Sequence, residues 1–299
     1  MPVPSPYAAR LAGIPVTRHD VAVAGGTTAY WSYGPEDAET TIIAVHGFRG
    51  EHHGLEPVVA YLPGFRVIMP DLPGFGETAP LPGRVHDLDA YVSWLREFAE
   101  RVAPGAVILG HSFGSIVVAA AVARGLETPR LVLVNPIGTP ALEGPKGLMT
   151  RLAVLYYAAG ARLPRPLGTA LLRSRAIVRV MSLAMVKTSD GALRRFVHDQ
   201  HDRYFSRFAD RDVLRDAFVA SVSHDVREFA GGIRVPTLLI AAQQDQITPI
   251  EAERALAAMF EDARLHEIAG VGHLVHYETP AETAGAVVRF LRVPSARSR

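Results

Sequence analysis

Short runs that are apolar on both faces alternate along the chain with longer runs whose apolar residues recur at helical spacing. Val21–Ala24 and Thr27–Tyr33 are separated by two glycines and read as a hairpin. Thr41–Val45, Phe65–Met69, Ala106–Leu109, Leu131–Val134, Thr237–Ala242 and Leu265–Ala269 read as further strands. Most of these are apolar throughout, as strands buried on both faces should be. Leu88–Val102 puts Leu88, Tyr91, Val92, Leu95 and Phe98 on one face behind an acidic start, which predicts an amphipathic helix. Phe113–Arg124 is small and apolar, as a helix packed on a sheet should be, and Ile250–Phe260 and Pro280–Leu291 close the chain. This alternation predicts a parallel sheet covered on both faces, with right-handed crossovers.

One stretch breaks the alternation. From about Pro136 to Glu228 helices follow one another with no convincing strand. The division expected is a core of residues 1–135 and 229–299 with a helical cap, residues 136–228, inserted between the sixth and seventh strands. Leu148–Lys187 within it carries seven basic residues and no acidic one. A solvated helical face accounts for such a run most simply. Attraction of anionic substrates or of a membrane surface are the sharper readings.

Composition narrows the classes. With 31 basic and 30 acidic side chains the net charge is +1, so nothing argues for nucleic acid as a partner. The absence of cysteine excludes disulfides, thiolate metal sites and a cysteine nucleophile, and suits a cytoplasmic setting. The twelve histidines show no zinc-type spacing, and no metal is expected. Prolines interrupt the first residues where a signal peptide needs an apolar run, and no apolar stretch is long enough to span a membrane.

The candidate chemistry starts at Gly110–Ser115, GHSFGS, directly after a strand and before a helix. A strand that turns at once into a helix forces the residue at the bend into strained angles, and small neighbours relieve the crowding. Gly110 and Gly114 flank Ser112 in that way, with His111 and Phe113 between them. Ser112 is therefore the candidate nucleophile. The amide of Phe113 lies at a helix N-terminus, where donors are free and the dipole favours an anion.

Serine needs a base, and the base an orienting group. Gly270–Pro280, after the last strand, offers His273 and His276. His273 is preferred because Gly272 leaves its loop free to bend, whereas His276 leads into a helical turn. Nucleophile, acid, then histidine is also the chain order expected of this arrangement. Asp245 lies just past the penultimate strand and is the candidate acid, because Asn135, after the strand before it, cannot carry the charge. A second oxyanion donor is the amide of Phe48 in VHGFRG, where His46 and Gly47 shape the loop. Asp71 in the following DLPGFG loop is expected to anchor backbone amides.

HGF at His46–Phe48, DLPGFG at Asp71–Gly76, GHSFG at Gly110–Gly114, the aspartate at 245 and the histidine at 273 follow in this order. As a set they resemble the α/β-hydrolase superfamily, from about Val21 to Leu291 apart from the cap. The resemblance implies an α/β-hydrolase fold: a mostly parallel eight-stranded sheet with helices on both faces. It also implies a Ser112–His273–Asp245 triad under a lid. Relatives with aspartate at the bend are excluded by Ser112. Carbon–carbon bond hydrolases of this fold typically have asparagine where this chain has His111. Cleavage of a carbon–carbon bond in a dienoate and cofactor-free haloperoxidase chemistry both use this triad and stay open as alternatives, and a non-catalytic receptor is the last of them.

The expected reaction is acyl transfer from a small, apolar ester or related acyl compound to water, with no metal or organic cofactor. A histidine base of this kind loses activity as pH falls through the ordinary imidazole value, about 6.5. Leu152, Leu155, Tyr156, Tyr157, Met181 and Met185 are candidates for the acyl pocket or for the cap's own core. Chain length of the acyl group and oligomeric state are not written in the sequence.

Overall fold

The computed structural model describes residues 3–139 and 147–293, with the backbone alone at 147–150. Residues 1–2 and 294–299 of the expected core, and 140–146 of the expected cap, lie outside the described residues.

Eight strands form one sheet: β1 (Val16–Val23), β2 (Gly26–Tyr33), β3 (Thr41–Val45), β4 (Arg66–Pro70), β5 (Val107–His111), β6 (Leu131–Val134), β7 (Thr237–Ala242) and β8 (Ala263–Ile268). Their order is β1-β2-β4-β3-β5-β6-β7-β8. The β1–β2 and β2–β4 pairs are antiparallel, and every other pair is parallel. β1 starts at Val16, ahead of the apolar run that announces it. Its first half is polar and mostly exposed, as the outermost strand of a sheet can be. Ala24 and Gly25 take positive φ, 53° and 79°, at the hairpin, where the right-handed strand twist favours a primed turn.

The helices of two turns or more are α1 (Leu88–Val102), α2 (Phe113–Ala123), α3 (Gly147–Arg162), α4 (Arg165–Leu172), α5 (Arg175–Met185), α6 (Gly191–Tyr204), α7 (Arg211–Ser223), α8 (Ile250–Ala257) and α9 (Pro280–Arg292). Asp87 caps α1 by accepting from the amide of Ala90. Successive strand residues point to opposite faces, so Ile43 and Val45 join the core under α1 and α2. Ile42 and Ala44 join the core under α9. Both faces are dry, which is why the central strands read as unbroken apolar runs.

Helices α3 to α7 run between β6 and β7. Tyr157, Leu172, Phe208, Leu214 and Phe218 of this insertion belong to the same apolar cluster as Trp94 of α1 and Phe113 of α2. The insertion therefore continues the main core. A single bridge between Phe75 and Phe208 fastens it to the loop after β4.

The strand ends are in register. Val45 pairs with Gly110, His111 with Val134, and Val134 with Ile240. The loops after β3, β5, β6 and β7 thus open at one carboxyl edge, where open α/β sheets place their ligands.

Candidate active site

Ser112 occupies the turn between β5 and α2 with φ 53° and ψ −120°, a conformation that few non-glycine residues adopt. Its neighbours explain how the turn is reached. A side chain at Gly110 would stand 2.5 Å from the carbonyl oxygen of Gly114. One at Gly114 would stand 2.4 Å from that of Val45 and 2.6 Å from that of His46. Both glycines are needed because α2 is driven against the ends of β3 and β5. Gly47 has the same role on the other side, since a Cβ there would lie 3.1 Å from the Ser112 Cβ.

Ser112 Oγ lies 2.8 Å from Nε2 of His273, and His273 Nδ1 donates to Oδ2 of Asp245 at 2.7 Å. The side chains of His273 and Asp245 are almost wholly buried. Asp245 Oδ1 accepts from the amides of Ile247 (2.7 Å) and Thr248 (3.3 Å). Burial pushes this carboxyl up, but the adjacent His273 and those two amides outweigh it and hold Asp245 below the ordinary carboxylate value. The acid is thus kept ionised beside the ring it orients. His276 is buried one helical turn away, its ring 4.1 Å from that of His111, and makes no bond to Ser112.

The amides of Phe113, next to Ser112 in the chain, and of Phe48, next to the Gly47 backbone that approaches Ser112, are the oxyanion candidates. Among the described residues neither is taken by a protein acceptor. Phe113 is the first residue of α2, so its N–H has no partner within the helix. His46 braces the other loop: Nδ1 donates to the Gly47 carbonyl at 2.9 Å, and Nε2 accepts from the Leu72 amide at 2.9 Å. This pair of bonds sets the tautomer and leaves His46 no free nitrogen for proton transfer. Asp71 accepts from the amides of His52 and Glu77. Gly76 has no Cβ because one would sit 2.0 Å from Asp71 Oδ2.

His111 packs behind the serine with Nε2 buried and unpartnered. Burial, then the neighbouring His273, takes it down to about 3, so it is a neutral ring.

Three contributors were not singled out from the sequence. Asn135, at φ 41° after β6, donates Nδ2 to Asp245 Oδ2 at 3.0 Å and to the Gly272 carbonyl at 3.3 Å. Its position after a strand was visible, but not that an amide there would hold both the acid and the histidine loop. Glu253 on α8 is buried with both carboxyl oxygens unpartnered. Burial and the charge of Asp245 raise it well above the ordinary value, which favours its neutral form. Arg49, at φ 60°, is 2% exposed and donates to the carbonyls of Phe205 and Leu172 and to the Tyr157 hydroxyl. It ties the Phe48 loop to three places in the insertion.

A cavity of about 170 Å³ opens beside Ser112 and His273. Its apolar wall includes Phe48, Leu55, Met181, Met185, Phe205 and Ile247. Met181 and Met185 therefore reach the pocket, as the helical spacing allowed. Tyr157 stacks on Phe218 in the main core, and Leu152 and Leu155 point to solvent, so those three line neither a pocket nor a separate cap core.

Among the described residues, Glu51, His52 and His53 bring ligand atoms within 4.8 Å of one another. These groups are engaged with neighbours. His53 Nδ1 lies 2.5 Å from Glu51, His52 Nδ1 lies 2.9 Å from Asp71, and Arg207 stands 3.7 Å from Glu51. The cluster reads as a hydrogen-bonded brace under the His46 loop.

Residues 42–286 match the model of the alpha/beta hydrolase family. The chain is 26% identical over 278 residues to 2-hydroxy-6-oxononadienedioate/2-hydroxy-6-oxononatrienedioate hydrolase 2 of Pseudomonas putida, covering 86% of this chain and 89% of that protein. Among solved structures it resembles a thermophilic esterase from Thermogutta terrifontis, with a TM-score of 0.72 and 22% identity over 92% of this chain and 98% of that one. It also resembles the enol-lactonase from Burkholderia xenovorans LB400, with a TM-score of 0.74 and 21% identity over 92% of this chain and 100% of that one.

Proposed function

The chain belongs to the alpha/beta hydrolase family, and from that membership we propose that it cleaves a small, apolar carboxylic ester through a covalent acyl-enzyme. The observation that carries the reading is the relay from Ser112 Oγ through His273 to Asp245, with steps of 2.8 and 2.7 Å, beside two unengaged amides.

In this reading Ser112 Oγ attacks the ester carbonyl while His273 Nε2 takes its proton. The carbonyl oxygen becomes an oxyanion facing the amides of Phe48 and Phe113. His273 returns the proton to the departing alcohol. A water molecule then gives a proton to His273 and attacks the acyl carbon, and the acid leaves as Ser112 regains its proton. Asp245 keeps the ring in the tautomer that presents a bare Nε2 and stabilises its charged form. The insertion acts as a lid that shapes the acyl pocket through Met181, Met185 and Phe205.

Cleavage of a carbon–carbon bond in a dienoate is the second reading, favoured by the Pseudomonas putida relative. The pocket argues for the ester. Among the described residues, Arg49 is the one basic side chain other than histidine in its lining, and its guanidinium is spent on Phe205, Leu172 and Tyr157. No arginine of the insertion lines the cavity to take a substrate carboxylate. Parallel turnover of a nitrophenyl butyrate and a vinylogous diketone acid tests this. Turnover of the ester alone supports the proposal, and faster cleavage of the dienoate overturns it.

A further inference from the structure

Among the described residues, no basic side chain of the insertion lines the cavity, and the surroundings of its basic stretch point elsewhere. Residues 148–187 hold seven of the 31 basic side chains and none of the 30 acidic ones, which leaves the rest of the chain net acidic. Six of the twelve large apolar side chains that stand exposed among the described residues lie in the same stretch: Leu152, Leu155, Leu163, Leu167, Val180 and Leu183. Single exposed leucines are ordinary, but such a concentration is not.

Helix geometry interleaves the two kinds. On α3, Arg151, Leu155 and Arg162 are exposed at spacings of four and seven, one face of a helix. On α4, Arg165 and Leu167 are exposed. On α5, Arg175, Val180 and Leu183 are exposed, while Met181 and Met185 face the cavity. Arg165 and Arg179 are paired with Asp212 and Asp202. Among the described residues, Arg151, Arg162 and Arg175 make no ion pair.

From this we infer that the exposed residues of α3, α4 and α5 share one outer surface of the insertion, and that this surface docks on an anionic lipid surface. Leucine tips buried at the boundary between headgroups and chains, flanked by arginines at the headgroups, form the pattern of an interfacial helix. Acidic headgroups supply the charge that the arginines lack. A second copy of this chain is the poorer occupant, because a two-fold contact would set like charges against each other. Nucleic acid would meet the arginines and leave the leucines in water. No helix among the described residues is long and apolar enough to cross a membrane, so the chain lies on the surface by this face. Since α5 carries Val180 and Leu183 outwards and Met181 and Met185 inwards, docking sets the cavity one helix away from the lipid.

The test is co-sedimentation of the full chain with vesicles of phosphatidylcholine alone and with about one-third phosphatidylglycerol, at low and high salt. Two triple variants accompany it: Arg151→Glu/Arg162→Glu/Arg175→Glu and Leu155→Ser/Leu167→Ser/Leu183→Ser. Ser112→Ala is included because docking does not depend on turnover, so a failed hydrolase reading leaves this one measurable. Circular dichroism verifies the fold of each chain. The expected result is binding to the anionic vesicles that salt weakens, unchanged in Ser112→Ala and weakened at least about tenfold in each triple variant. Equal or absent binding to the two vesicle types overturns the inference, as does native-like binding by both folded triple variants. A dimer that the leucine variant abolishes, without vesicle binding, overturns it in favour of self-association.

Discussion

Asn135 Nδ2 and His273 Nδ1 meet at the same carboxylate oxygen, Oδ2 of Asp245, at 3.0 and 2.7 Å. The amide also reaches the Gly272 carbonyl, so one side chain positions the acid and the loop that carries the histidine. Asn135 touches no reacting atom and is a positioning residue. Asn135→Ala should lower kcat roughly tenfold and leave KM nearly unchanged, the effect of one lost bond to a charged group. Asn135→Asp adds negative charge near the imidazolium, favours it, and should move the acid limb of the pH–rate profile to higher pH. Rate profiles of the two variants check both points, and a large rise in KM alone would count against the role.

His201 gives a prediction about acid stability. It is fully buried, with Nδ1 bonded to Ser182 Oγ at 2.7 Å and Nε2 unpartnered. Burial, then His198 and Arg179, takes it down to about 3. The unfolded chain binds a proton near pH 6.5 and the folded chain does not until about pH 3, so stability falls as pH drops through that window. His201→Gln should be less stable than the native chain at pH 8. Between pH 6 and 4 it should lose less stability than the native chain, by up to about 1.4 kcal/mol per pH unit. Urea unfolding at several pH values reads the slope, and parallel slopes would contradict the assignment.

Glu253 predicts the opposite sign. Burial and Asp245 raise this carboxyl in the fold, so its stability contribution is present below the ordinary carboxylate value and is lost as pH rises above it. The neutral isostere Glu253→Gln should match the native chain near pH 4 and exceed its stability at pH 8. Thermal melts at the two pH values check this, and a less stable variant at pH 8 would show a paired, ionised Glu253.

Much of this architecture is legible in the order of apolar and polar residues. β3 to β7 lie where apolar runs predict them because strands buried on both faces leave an unbroken signature, and β2 and β8 begin within two residues of their predicted starts. β1 was read short because an outer strand exposes one face, and Thr17, Arg18 and Asp20 look like a loop in sequence. Ser112, Asp245 and His273 were legible because strand ends, a glycine pair and chain order constrain them locally. Asn135 and Arg49 were not, since their importance lies in contacts more than a hundred residues away. Helical spacing put Leu155 and Met181 on faces of helices without saying which faces met the core.

The most direct test of the central claim is intact-protein mass spectrometry after exposure to a fluorophosphonate, with Ser112→Ala alongside. The account predicts one adduct on the native chain and none on the variant. A folded native chain that takes no adduct, or a variant that is labelled equally, would contradict the assignment of Ser112 as the activated nucleophile.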